Sequence, residues 1–280
     1  MSKPDLPLLQ RHLPMTMTQC HPSLRPCRPL ALLGALLCIL VLGGCAGIPA
    51  RNPLAQWERS PNQNKRGPVL IVIHYTAENS VEQSLKTLKT ANGKGRVSAH
   101  YLIGADGKRY QLVSDERRAW HAGAGHWGTI SDVNSASIGI ELDNDGSRPF
   151  AQAQIDSLIL LLDDLCRRHH IPRTAIIGHE DLAPGRKIDP GPLFPWKQLA
   201  DAGFGHWPRA DAPPAPADFD PWLALAALGY PLADRGAAVQ SFHHHFRGMQ
   251  GSQLDTEDLR ILHDLTLPPS PLAAAAEQGM

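Results

Sequence analysis

The first strong feature of the chain is an apolar run with no alternation. "PLALLGALLCILVL", Pro29 to Leu42, follows Arg25 and Arg28. The run is shorter than a comfortable bilayer span, and its basic flank gives it the form of a signal-peptide core. After a polar stretch scattered with prolines, the pattern becomes that of a folded domain. "VLIVI" (Val69 to Ile73) is continuously aliphatic, which suits a central strand covered on both faces. "VEQSLKTLKT" (Val81 to Thr90) predicts a short helix. "VSAHYLIGADGKRYQLV" (Val97 to Val113) predicts two strands around an Asp-Gly turn. In "SIGIEL" (Ser137 to Leu142), Ile138, Ile140 and Leu142 alternate with Ser137, Gly139 and Glu141, so Glu141 leaves the strand on the side away from the isoleucines. A helix follows from about Ala151 to His170, stopped by Pro172, and then a short strand, "TAIIG" (Thr174 to Gly178). This order predicts an α/β domain with a mixed central β-sheet flanked by helices.

The pattern also divides the chain. Residues 1–44 read as a signal peptide, 45–67 as the mature start and a tether, and 68–207 as the catalytic domain. Residues 208–218 are rich in Pro and Ala and read as a stiff linker, and 267–280 as a disordered tail. Between them, residues 219–266 carry three short helical patterns, a small C-terminal three-helix domain that is marginal alone and viable beside a larger one.

Composition narrows the function classes. Lys+Arg and Asp+Glu both number 27, which leaves no basic surface of the kind that tracks nucleic acid. Of five cysteines, Cys20, Cys27 and Cys38 would leave with the signal, and the two that stay, Cys45 and Cys166, are too few for a disulfide framework in the mature chain. Cys166 falls on the apolar face of its helix with Ile155, Leu158, Ile159, Leu162 and Leu165, as a buried, inert thiol.

Three ligating or ionisable residues end predicted strands: His74, Glu141 and His179. In open α/β sheets the crevice beyond the strand carboxyl ends is the usual ligand site. In the Gly- and Pro-punctuated loop after His179, Lys187 and Asp189 stand two apart and face the same way if that segment is extended. Two histidines and a carboxylate are the protein ligands of a catalytic zinc that keeps one position open, a set supplied by His74, His179 and Asp189. Glu141 is then placed to move a proton and Lys187 to stabilise an oxyanion. Each element also has a plainer role: a hydrogen-bonded core or surface histidine, a solvated Lys187–Asp189 ion pair, a turn-capping Glu141.

Resemblance decides among these. "VIHYTA", "VSAHYLIG", "WHAG", "SIGIELDN" and "GHEDLAPGRKIDPGP" resemble, in the same order, the signature blocks of the zinc-dependent N-acetylmuramoyl-L-alanine amidases that share a fold with peptidoglycan recognition proteins. The likeness covers about Val69 to Trp196. It implies one zinc per chain on His74, His179 and Asp189, with Glu141 and Lys187 as the catalytic groups. His100, inside a strand, is expected to be structural or to face a substrate groove, and Trp120, His121 and Trp127, on the Gly-rich loop "AWHAGAGHWG", to line that groove or to serve simple loop packing. "LAALGY" and "AAVQSF" in the last domain resemble, more faintly, three-helix peptidoglycan-binding domains, leaving a glycan binder or a brace. "FHHHF" (Phe242 to Phe246) reads as a solvated helix face, since three consecutive histidines on a helix point apart and cannot share a metal.

"LGGC" (Leu42 to Cys45) resembles a bacterial lipobox, which implies lipidation of Cys45. Ala46 after it fits outer-membrane sorting, so an outer-membrane lipoprotein facing the periplasm is expected. The expected partners are peptidoglycan or muropeptides and, through the lipid, a membrane; the expected state is a monomer. Two rival readings are a cytosolic amidase that recycles anhydro-muropeptides, which would need no signal or extra domain, and a catalytically silent peptidoglycan binder.

Overall fold

The computed structural model describes residues 51–65, 67–92 and 95–268. The signal, Cys45 and the C-terminal tail lie outside these residues. Six strands form the main sheet: β1 (Gln56–Trp57), β2 (Leu70–Tyr75), β3 (Tyr101–Ile103), β4 (Arg109–Gln111), β5 (Ser137–Leu142) and β6 (Ile176–Gly178), in the order β1-β4-β3-β5-β2-β6. β3 and β4 form the antiparallel hairpin predicted around Asp106-Gly107, and the other pairings are parallel. The sheet is therefore mixed, as the sequence predicts.

Period-two alternation gives the sheet its two faces. Ile71 and Ile73 of β2, Tyr101 and Ile103 of β3, and Ile138, Ile140 and Leu142 of β5 share one core with Ile155, Leu158, Leu161, Leu162 and Leu165 of helix α3 (Gln152–His169). Removing any one of those leucines to Ala would cost about 2–5 kcal/mol. The helix ends where His170 turns left-handed at φ 53°, two residues before Pro172. On the opposite face Leu70 and Val72 pack with Ile177 and with Val133 of the short helix α2 (Val133–Ala136), and Leu102 packs with Leu88 of helix α1 (Val81–Lys89). By the same alternation His74 and Glu141 emerge on this second face.

Two boundaries differ from those predicted. The segment before Pro68 is part of the fold: β1 pairs with β4, and the buried Asn52 donates from its side chain to Asp164 at 2.7 Å and from its backbone to Gln111 at 2.8 Å. A polar segment reads as a tether when its backbone partners cannot be seen. The 208–218 segment is likewise tied down, through the pairing of Arg209 with Asp264 and a hydrogen bond from Arg260 to the Ala212 carbonyl.

The last three helices, α6 (Pro221–Leu228), α7 (Arg235–Arg247) and α8 (Thr256–Thr266), share their own core of Leu225, Tyr230, Val239, Phe242, Ile261, Leu262 and Leu265. Asp220, Asp234 and Asp255 cap their N-termini, and Gly229, at φ 121°, ends the first. Among the described residues no helix is long and apolar enough to cross a membrane.

Candidate active site

Strand register brings the site together. Leu70 to Tyr75 pair in step with Ser137 to Leu142, setting His74 beside Glu141. Ile73 pairs with Gly178, so the next residue of each strand, His74 and His179, leaves the sheet at the same edge. His179 then opens a one-turn helix, α4 (His179–Leu182), from which the chain returns through Lys187 to Asp189. Gly178 makes that return possible, since a Cβ there would lie 2.8 Å from Pro190 Cδ.

Three buried atoms now face one another. His74 Nδ1, His179 Nδ1 and Asp189 Oδ2 are mutually 3.0 Å apart. The other ring nitrogens fix the tautomers. His179 Nε2 is 2.8 Å from the Ala122 carbonyl, which can only accept, so Nε2 carries the proton and Nδ1 presents a lone pair. Ser137 Oγ donates to the Val133 carbonyl at 2.6 Å and so accepts from His121 Nε2 at 3.3 Å. His121 Nδ1 is then an acceptor for His74 Nε2, 3.0 Å away, and His74 Nδ1 also presents a lone pair. Two imidazole lone pairs and a carboxylate oxygen aimed at one point repel unless a cation lies between them, and their spacing suits a small divalent ion. Burial, followed by the field of His179, pulls the His74 pKa down to about 4.

The donors sit at the base of a cleft of about 320 Å³, whose walls include Trp120, His121, Glu141, Arg186 and Lys187. Among the described residues, the buried Glu141 Oε2 has no hydrogen-bond partner. Burial first, and then the Asp189 carboxylate, raise the Glu141 pKa well above its ordinary value, while Lys187 opposes them. A carboxyl with one idle oxygen facing a cleft has the capacity to take up and release a proton.

The groove residues divide. Trp120 and His121 line the cleft, whereas His100 and Trp127 lie elsewhere. His100 is fully buried beneath β5, where Nδ1 accepts from the Gly139 amide at 3.0 Å and Nε2 donates to the Arg117 carbonyl at 2.9 Å. Both its nitrogens are committed to backbone. Trp127 packs edge-on to Tyr230 at 5.1 Å and against the α-carbon side of Gly229, joining the first domain to the helices. The supporting role of His121 was missed from sequence. Its signal was Gly139, the one glycine in a strand of large residues: a Cβ there would lie 2.5 Å from the His121 ring.

Comparison with known proteins settles the class. Residues 63–192 match the family described as N-acetylmuramoyl-L-alanine amidase. The chain is 36% identical over 263 residues to the N-acetylmuramoyl-L-alanine amidase AmiD of Escherichia coli, covering 81% of this chain and 94% of that one. The chain belongs to the N-acetylmuramoyl-L-alanine amidase family. The structure of E. coli AmiD in complex with the substrate anhydro-N-acetylmuramic acid-L-Ala-D-gamma-Glu-L-Lys superposes with a TM-score of 0.63 at 35% identity, covering 71% of this chain and 89% of that one. The 1,6-anhydro-N-acetylmuramyl-L-alanine amidase AmpD of Enterobacter cloacae is 40% identical over only 103 residues, 37% of this chain and 55% of its own. This chain is therefore an amidase of the bond between N-acetylmuramic acid and L-alanine. The likeness to AmiD runs well past the residues that it shares with AmpD.

Proposed function

We propose that this amidase works with one zinc ion held by His74, His179 and Asp189, with Glu141 as its general base and acid and Lys187 as its oxyanion donor. The observation that carries the reading is the convergence of three acceptor atoms whose tautomers leave no proton between them. Two neutral imidazoles and one carboxylate are also the donor set that leaves a zinc ion a free position for chemistry. Zinc, when bound, supplies Lewis acidity, polarising the scissile carbonyl and making water available as a nucleophile near neutral pH.

The chain's own groups do the rest. Glu141 takes the proton of the attacking water on its idle Oε2 and returns it to the nitrogen of the leaving L-alanine. Lys187, on the cleft wall, donates to the oxygen that gains charge as the carbonyl becomes tetrahedral. The bond broken joins the lactyl group of N-acetylmuramic acid to the peptide stem of peptidoglycan or of its anhydro fragments. The enzyme acts as an outer-membrane lipoprotein facing the periplasm, a reading supported by the apolar run before Cys45 and by Ala46 after it. Loss of lipid labelling in a Cys45→Ala variant checks that placement.

The central test is digestion of purified muropeptides by the full chain, with and without a chelator, followed by mass spectrometry for free stem peptides. Chelation is expected to abolish release and added zinc to restore it. Asp189→Ala is expected to purify without metal. Release that persists in the chelated enzyme, at undiminished rate and with no metal bound, would sink the zinc reading.

A further inference from the structure

The three consecutive histidines of α7 are buried, each with a carboxylate. Steps of about 100° along the helix send them in three directions. His243 Nε2 meets Asp258 of its own module at 2.8 Å. His244 Nδ1 meets Glu180 at 2.7 Å, and His245 Nδ1 meets Asp181 at 2.8 Å. The last two partners belong to the amidase domain and directly follow His179. The solvated face expected from sequence is thus an interface, because the carboxylates that satisfy it come from a distant part of the chain.

Glu180 staples the two halves of the site loop. Its backbone N–H donates to the Asp189 carbonyl at 2.8 Å, and its Oε1 accepts from the Gly191 N–H at 3.1 Å. Its other carboxylate oxygen is the one that meets His244. Asp181 has a parallel task. Its Oδ2 accepts from the Gly178 N–H at 2.7 Å, and Tyr230 and Ser241 both donate to its Oδ1 at 2.9 Å. Gly178 and Glu180 bracket His179, and Glu180 holds the chain at Asp189 and just beyond it at Gly191. Finally, the His245 ring stacks at 3.7 Å on Trp196, the first residue of helix α5 (Trp196–Asp201).

We propose that the C-terminal module is a positioning element of the active site, with His244 and His245 holding Glu180 and Asp181 so that His179 and Asp189 converge on a common metal ion. The inference rests on the metal reading above. It makes His244 a positioning residue whose contribution should be visible in metal binding itself, without turnover. Polar partners just outside a metal's own ligands typically contribute 10–100-fold in affinity.

The test is titration of the metal-free full chain with zinc, together with the visible absorption spectrum of its cobalt form. His244→Ala is expected to weaken zinc about tenfold or more and to alter the cobalt band. His244→Asn sets an amide nitrogen where Nδ1 stood and should recover most of the affinity. Asp255→Ala, which removes the cap of α8 without touching Glu180 or Asp181, should lower the melting temperature and leave zinc affinity unchanged. Wild-type zinc affinity and an unaltered cobalt band in His244→Ala would overturn the proposal, as would an equal loss of affinity in Asp255→Ala. A wild-type chain that binds no zinc would overturn the metal reading first and this inference with it, so the two failures are distinguishable.

Discussion

Two histidine clusters meet across a single peptide bond, between His179 and Glu180, and they are built on opposite terms. At the strand ends, His74 and His179 spend one nitrogen each on a neighbour that fixes the tautomer and aim the other at the same spot as a carboxylate oxygen. In α7, His243, His244 and His245 each meet a carboxylate of their own. The first arrangement is the one that the proposed zinc would complete. The second is complete as it stands, and a buried ion pair is by itself weak evidence of added stability. Counting histidines does not tell a metal site from a scaffold; the direction of the lone pairs does.

The largest effect expected from breaking this contrast is at Glu141. Its Oε2 has no partner to lose among the described residues, so Glu141→Gln should leave folding and metal content unchanged while muropeptide hydrolysis falls about 10²–10⁴-fold. A variant with unaltered kcat would remove Glu141 from the chemistry.

Next comes the body of the scaffold cluster. Phe242, fully buried between Tyr230 and Phe246 on the same helix as the three histidines, anchors the module core. Phe242→Ala should cost about 3–5 kcal/mol in denaturant unfolding. A loss below about 1 kcal/mol would mean that the interface pairs, not the apolar core, hold the module together.

A smaller change sharpens the other side. Gly139→Ala puts a methyl group where the His121 ring stands, and overpacking of this kind costs up to about 3 kcal/mol. The displaced His121 no longer fixes the His74 tautomer, so zinc affinity should fall along with stability. Reduced stability with unchanged affinity would show that His74 orients without His121.

How much of this was legible in the sequence follows from which contacts are local. The strand 137–142 and the helix after it could be read because alternation and 3.6-residue periodicity are properties of neighbouring residues. His74, Glu141 and His179 could be read because parallel strands that end together bring their last residues together. Of the two roles expected for His100, structural or substrate-facing, the structure shows the first, with both ring nitrogens held by backbone, and Trp127, expected in the groove or in loop packing, packs against Tyr230 of the helical module. The α7 histidines were read as solvated because the partners of His244 and His245 lie 64 residues away, and nothing in "FHHHF" says that Glu180 and Asp181 will arrive.

A third buried cluster tests whether satisfied carboxylates behave as this comparison requires. At the far edge of the sheet, Asp115 accepts from Tyr101 at 2.6 Å, meets His169 at 2.9 Å and pairs with Arg168 at 2.8 Å. Burial alone would raise its pKa, but hydrogen bonds with His169 and Tyr101 and the Arg168 guanidinium bring it down to about 2, from 3.8. A carboxylate depressed in the folded state binds its proton more readily once unfolded, so its stabilisation is complete above about pH 5 and is lost as the pH falls from about 4 to about 2. That difference corresponds to about 2 kcal/mol. Denaturant unfolding of the wild type and Asp115→Asn between pH 5 and pH 2 should therefore converge by about this amount, because the amide has no proton to gain. Parallel curves would place the depressed pKa in the unfolded chain too, and the satisfied cluster would then be no more than a packing feature.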